Sequence, residues 1–289
     1  MGGVSRNRQR WQSAMVYGAI ALCCVLGGWV WSGLGISGLA DRGGDSLAQA
    51  TEPLPALLSQ LPPPQVHPLP TCLQQWRDRP AAQSGLVSPR NGAGDDFDPD
   101  SFGSDYFDQI EPSIVGHLIW SQFPITVALA PTPPRAAAWR KAVTQAIADW
   151  QPYLSLQLLD AGDSTPADIT IALGNPTLRN AAGLPRAANA RTTYEFYWDL
   201  RGDRPRLAHR FTMLLRGDRA FAQLLGTARH ELGHALGIWG HSPNPQDALY
   251  AAAVANPPPI SDRDLNTLVK VYEQPTRLGW SLNSYQIPN

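Results

Sequence analysis

The sequence predicts an α+β protein, and three observations carry the prediction. Short strand patterns recur between Phe123 and Leu215. Apolar residues at three- and four-residue steps mark helices over 134–150 and 218–238. The span holding them, residues 113–289, has 177 positions, a normal size for one domain. The chain as a whole has 289 residues, 43% hydrophobic and only 16% charged, with a net charge of −1. That balance supplies a sizeable core and no general attraction to nucleic acid, so no nucleic-acid partner is expected. Its 27 prolines are unevenly placed: none in the first 50 positions, 11 between Pro53 and Pro112. The unevenness divides the chain into a proline-free head, a proline-rich middle and a folded tail.

The head comes first. From Trp11 to Ala40 no residue is charged, and Arg6, Arg8 and Arg10 precede the run. A membrane helix needs about 20 mostly apolar residues. Residues 1–12 are therefore expected as a basic cytoplasmic tail and 13–40 as a transmembrane helix, with the bulk of the chain outside. A signal peptide cleaved near Ser37-Gly38-Leu39-Ala40 is the alternative, and both readings export the remainder.

Residues 41–112 read as a spacer, because proline fixes φ and lacks an N–H. Cys72 stands alone there, with no motif around it. The end of the zone is acidic, with Asp95, Asp96, Asp98, Asp100, Asp105, Asp108 and Glu111 interleaved with Phe97, Phe102, Tyr106 and Phe107. It reads as a solvated linker whose aromatics dock on the next domain. A calcium (Ca2+) site or a carboxylate covering a metal in a latent pro-segment are its sharper alternatives. The spacing fits no calcium loop.

The elements of the tail follow in order. Phe123–Ala130 alternates Ile125, Val127 and Leu129, a strand. In 134–150, Trp139, Val143, Ala146, Ile147 and Trp150 share one helical face, with proline in the first turn. Residues 154–159, 168–173, 192–198 and 206–215 are strands rich in branched or aromatic side chains. Residues 218–238 form a second helix. Ser261, with Asp264 three positions on, opens a last helix through a near capping box.

The second helix carries His230-Glu231-Leu232-Gly233-His234. Histidines at i and i+4 lie on one helical face, so both imidazoles reach one ion. Glu231 projects off that face, toward a metal-bound water rather than the metal. Gly237 suits a left-handed, helix-ending turn, after which the chain offers His241 as a third ligand. Three histidines leave a fourth tetrahedral position open, the catalytic arrangement of zinc (Zn2+); a closed structural site usually needs cysteine, and the tail has none.

His230 to Ser242 and the following loop resemble the metzincin zinc metallopeptidases, most closely the matrixins. The resemblance reaches back through Phe123-Pro124-Ile125, Trp139, Trp150 and Ala167-Asp168-Ile169, and forward to the helix from Ser261 to Tyr272. It implies a mixed twisted sheet packed on an N-terminal helix and an active-site helix, with a small C-terminal subdomain. It further implies His230, His234 and His241 as ligands, Glu231 as general base, and a polypeptide substrate lying extended along an edge strand. Two departures stand out. His241 follows Gly237 by four residues where the family uses three, and glycine at 240 is expected to absorb the extra one. Leu249 stands where the family has a methionine beneath the metal, a nearly volume-conserving exchange. Tyr250 reads as an oxyanion stabiliser or as a packed tyrosine. The activity implied is zinc-dependent endopeptidase; the alternative is a zinc-binding scaffold or interaction domain with impaired turnover.

Overall fold

A computed structural model describes residues 16–21, 61–79 and 104–281, apart from 162, 164, 180–184 and 202. The alternating segments pair into one mixed sheet in the order β1-β7-β8-β4-β2-β3. Its strands are β1 (Val16–Ala21), β2 (Ile125–Leu129), β3 (Leu156–Leu158), β4 (Ile169–Leu173), β7 (Ala190–Asp199) and β8 (Arg206–Leu215). A separate two-stranded ribbon joins β5 (Thr177–Arg179) to β6 (Pro185–Ala187). β2 runs parallel to β3 and β4, and β4 parallel to β8. β7 turns back antiparallel along β8. The α+β expectation therefore holds as a mixed sheet with helices packed on it.

Among the described residues four α-helices complete the fold: α1 (Thr71–Arg77), α2 (Ala137–Trp150), α3 (Phe221–Ala235) and α4 (Asp262–Tyr272). Parallel strands need a crossover, and α2 supplies the one between β2 and β3. Its face of Trp139, Val143, Ala146, Ile147 and Trp150 is buried, as its periodicity predicts. Trp150 donates its indole N–H to the Arg229 carbonyl on α3 at 3.0 Å, and Asp149 pairs with Arg229 at 2.6 Å. These bonds fix α3 against α2. α4 begins with a complete capping box, each partner bonding the other's backbone N–H: Ser261 Oγ accepts from Asp264, and the Asp264 carboxylate accepts from Ser261.

Two expectations for the N-terminal third need correction. Val16–Ala21, inside the predicted membrane helix, is a strand paired antiparallel with β7. Val16, Tyr17 and Ile20 favour extended backbone, and β7 otherwise presents an edge of unpaired N–H and C=O groups. Among the described residues no helix is long and apolar enough to cross a membrane. The rest of the run from Trp11 to Ala40, and the cleavage site near Ala40, lie outside the described residues.

The middle zone is not merely a spacer. Leu61, Leu69, Leu73, Trp76, Tyr106 and Ile110 are buried in the same core as the tail. Gln65 and Thr276 exchange backbone bonds of 2.9 Å in each direction. Trp76 donates to Asn266 on α4 at 3.2 Å. Aromatic and leucine side chains in a proline-rich stretch carry apolar area that is worth burying, about 25 cal/mol per Å². Cys72 lies on α1, and residues 80–103, with most of the acidic stretch, lie outside the described residues.

Candidate metal centre

The site is built on the last two turns of α3 and the loop that follows. His230, Glu231 and His234 are buried on that helix. α3 closes at Leu236 by the two bonds of a Schellman motif: Gly237 N–H to the His234 carbonyl at 3.2 Å, and Ile238 N–H to the Gly233 carbonyl at 3.0 Å. Gly237 takes φ 128°, which only glycine adopts without strain, and a Cβ there would also meet the Leu118 carbonyl at 3.0 Å. Two consecutive three-residue turns follow, Trp239 N–H to the Gly237 carbonyl at 2.8 Å and Gly240 N–H to the Ile238 carbonyl at 3.0 Å. These turns take up the extra residue and bring His241 back to the helix.

Gly240 acts differently from expectation. Its φ is not left-handed; what it supplies is a missing Cβ, since one built there would lie 2.2 Å from the Gln109 carbonyl. Ile110 and Gly240 form an antiparallel bridge at that point, and Glu111 N–H donates to the Trp239 carbonyl at 3.2 Å.

The three histidines converge. Their candidate ligand nitrogens all lie within 4.8 Å of one another. His230 Nδ1 faces the Ala248 carbonyl at 2.9 Å and His234 Nδ1 faces the Ile238 carbonyl at 2.8 Å. A carbonyl accepts only, so each Nδ1 carries the proton and each Nε2 keeps a lone pair. Those two Nε2 atoms are 3.0 Å apart, lone pair toward lone pair. His241 Nε2 is buried with no hydrogen-bond partner. Nitrogens sharing one zinc at about 2.0–2.1 Å stand about 3.3 Å apart in a tetrahedron. Two facing acceptors and an orphaned third are the donor set such a cation satisfies. Burial keeps the ligands neutral, pulling His230 down to about 3, His241 to about 4 and His234 well below its ordinary value.

Glu231 is fully buried beside them. Its Oε2 accepts a hydrogen bond from Thr192 Oγ1 on β7 at 2.5 Å, and its buried Oε1 has no partner. Desolvation pushes the carboxyl up to about 7 against the opposing effect of the Thr192 bond.

The floor of the site is the loop 242–251. Leu249 is fully buried, and a Cβ placed on Gly233 would lie 2.6 Å from its Cδ2. The loop is pinned by a carboxylate that sequence reasoning credited only with capping a helix. Asp264 accepts from the Ala248 N–H at 2.8 Å, the Leu249 N–H at 3.3 Å and the Tyr106 hydroxyl at 2.6 Å. Asp247, also buried, accepts from Ser242, from Ser261 at 2.7 Å and from Arg263 at 3.0 Å. Tyr250 follows Leu249 with its side chain half-buried, its backbone bridging Ser242.

Thr192, Asp247, Asp264 and Tyr106 thus join the site in roles that sequence alone did not give. Thr192 was readable as a polar residue on the inward face of a strand, Tyr106 as an aromatic docking on this domain and Asp264 as a helix cap. His209 is a core histidine stacked on Trp120 at 4.1 Å and stands outside the cluster. Four arginines between 201 and 216 pair with acids: Arg201 and Arg206 with Asp199, Arg210 with Glu195, Arg216 with Asp218.

No family model matches the chain, and no curated protein matches it. What fold and site define together is an α+β protein with three histidines close enough to bind one metal ion, a set compatible with zinc.

Proposed function

We propose that the chain is a zinc-dependent endopeptidase of metzincin, matrixin-like type. The observation that carries the reading is the convergence of three imidazoles, two with lone pairs exposed by tautomer, beside a buried carboxylate on the same helix. His230, His234 and His241 would hold the ion. Zinc, when bound, acidifies a water and polarises a carbonyl.

Glu231 accepts the proton at Oε1, the oxygen without a partner, and returns it to the leaving amine nitrogen. Burial raises this carboxyl in the metal-free site, and a bound cation would draw it back toward the ionised form that a base needs. β7 supplies the substrate groove. Its outer edge pairs antiparallel with Val16–Ala21, and an extended polypeptide would bond to the same N–H and C=O groups.

The test compares the parent with Glu231→Ala on denatured protein substrates, with zinc measured in both. The expected result is one zinc per chain in each and a loss of cleavage of at least about 100-fold in the variant. Equal cleavage by the two overturns the mechanism. Stoichiometric zinc with no cleavage by the parent favours the scaffold reading instead.

A further inference from the structure

The Glu231 carboxylate has one hydrogen bond among the described residues, and it comes from a different element. Thr192 sits on β7 between two pairing partners, Met213 on β8 and Ile20 on β1. Its side chain is fully buried, and its hydroxyl donates to Glu231 Oε2 at 2.5 Å. An inward-facing position on a buried strand suits valine, which has the same shape. The hydroxyl is there for a partner, since buried polar groups without one are costly.

We propose that Thr192 is a positioning residue: it fixes the Glu231 carboxylate relative to both the histidines and the outer edge of β7. The proposal rests on the endopeptidase reading. A glutamate has three rotatable bonds, and helix packing alone does not fix its terminal torsion. A β-branched threonine has a stiff χ1, so its hydroxyl is a defined anchor. Holding Oε2 leaves Oε1 as the oxygen free to take a proton. The same residue contributes its backbone to the strand on which an extended peptide would lie. Base and substrate groove are thereby registered through a single side chain.

The experiment uses zinc-loaded full-length chains carrying Thr192→Val, Thr192→Ala and Thr192→Ser. Removing a partner that orients a catalytic group costs about 10–100-fold. The expected result for Val is a fall of that size in kcat per bound zinc, with KM and zinc stoichiometry unchanged. Ser is expected to restore most of kcat. Crystal structures of parent and variants supply a readout independent of turnover, with the carboxylate displaced in Val and in place in Ser. Ala, also lacking the hydroxyl, stands in for Val if Val does not fold. Parental kcat in a zinc-loaded hydroxyl-free variant overturns the proposal, and so does a Ser variant as slow as Val. If the parent binds zinc but cleaves nothing, the endopeptidase reading falls by itself. The positioning role is then decided by the crystal structures, and an unmoved Glu231 in Val overturns it.

Discussion

Replacing Leu249 by alanine tests how the floor of the site supports the metal. Leu249 is fully buried, its Cδ2 lying where a Cβ on Gly233 would come within 2.6 Å. It therefore packs against α3 at Gly233, next to His234 in the chain. The substitution removes three carbons from that contact. Its loop cannot collapse into the gap, because the Leu249 carbonyl holds the Ser242 N–H at 2.8 Å and Asp264 holds the N–H groups of residues 248 and 249. Leu→Ala in cores costs about 2–5 kcal/mol, more where relaxation is blocked, so the upper half of that range is expected. At about 2–4 °C per kcal/mol for a domain of this size, the melting temperature falls by roughly 7–20 °C. Zinc affinity falls with it, since the adjacent Ala248 carbonyl orients His230, and a disturbed orienting partner costs about tenfold or more. Leu249→Met keeps the volume and costs under about 1.5 kcal/mol. Thermal melts of the zinc-loaded proteins by circular dichroism, with chelator competition for affinity, read both effects. A fall of less than about 2 °C for alanine refutes the reasoning. Equal damage from methionine does so as well.

Three further outcomes are expected. Gly240→Ala puts a methyl 2.2 Å from the Gln109 carbonyl, a backbone atom in a bridged segment, so His241 must shift. Zinc stoichiometry after dialysis against a weak chelator should fall below one per chain, and full retention would count against a role for Gly240 in placing the third ligand. The zinc-stripped protein should lose stability as the pH falls below the ordinary histidine value of about 6.5. Below it, His230 and His241, held neutral down to about 3 and 4, make the unfolded chain the better proton binder, so stability is lost as pH falls. Glu231 acts oppositely: its carboxyl, raised from 4.5 to about 7, contributes stability below 4.5 that is lost as pH rises through 7. Glu231→Gln should recover up to about 3 kcal/mol at pH 8 and little at pH 5, read by urea unfolding of both proteins at the two pH values.

The helices were legible because burial imposes their period. Trp139, Val143, Ala146, Ile147 and Trp150 lie on the buried face of α2, and the spacing of His230, His234 and His241 anticipates their convergence. α3 is shorter than expected at both ends, Phe221–Ala235, since apolar residues beyond a Schellman turn continue the pattern without continuing the helix. α1 was not legible. It has seven residues, follows Pro70 and offers only Leu73 and Trp76 to the core, too few for a period to show. The polar frame was invisible for another reason. Asp264 bonds Tyr106 from 158 positions away, and no local pattern encodes a contact at that separation. The capping box made Asp264 noticeable, but for a bond to Ser261 that uses only part of its capacity.

The two departures from the matrixin pattern meet the same upstream segment. The extra residue before His241 is accommodated where Gly240 lies flat against Gln109 and Ile110. The leucine on the floor of the site is held by Asp264, whose Oδ1 is shared between the Leu249 N–H and the Tyr106 hydroxyl. Residues 106–111 therefore touch both the loop that carries the third ligand and the carboxylate that fixes the floor. A removable spacer would leave each of these groups with a lost partner: a buried Asp264 without its shortest donor, and a Trp239 carbonyl without Glu111. Losing one buried hydrogen-bond partner costs about 1–3 kcal/mol, so cutting the chain before residue 113 should weaken the centre rather than unmask it. The stretch whose prolines suggested a tether is, from Tyr106 onward, part of the frame that makes an unusual histidine spacing workable.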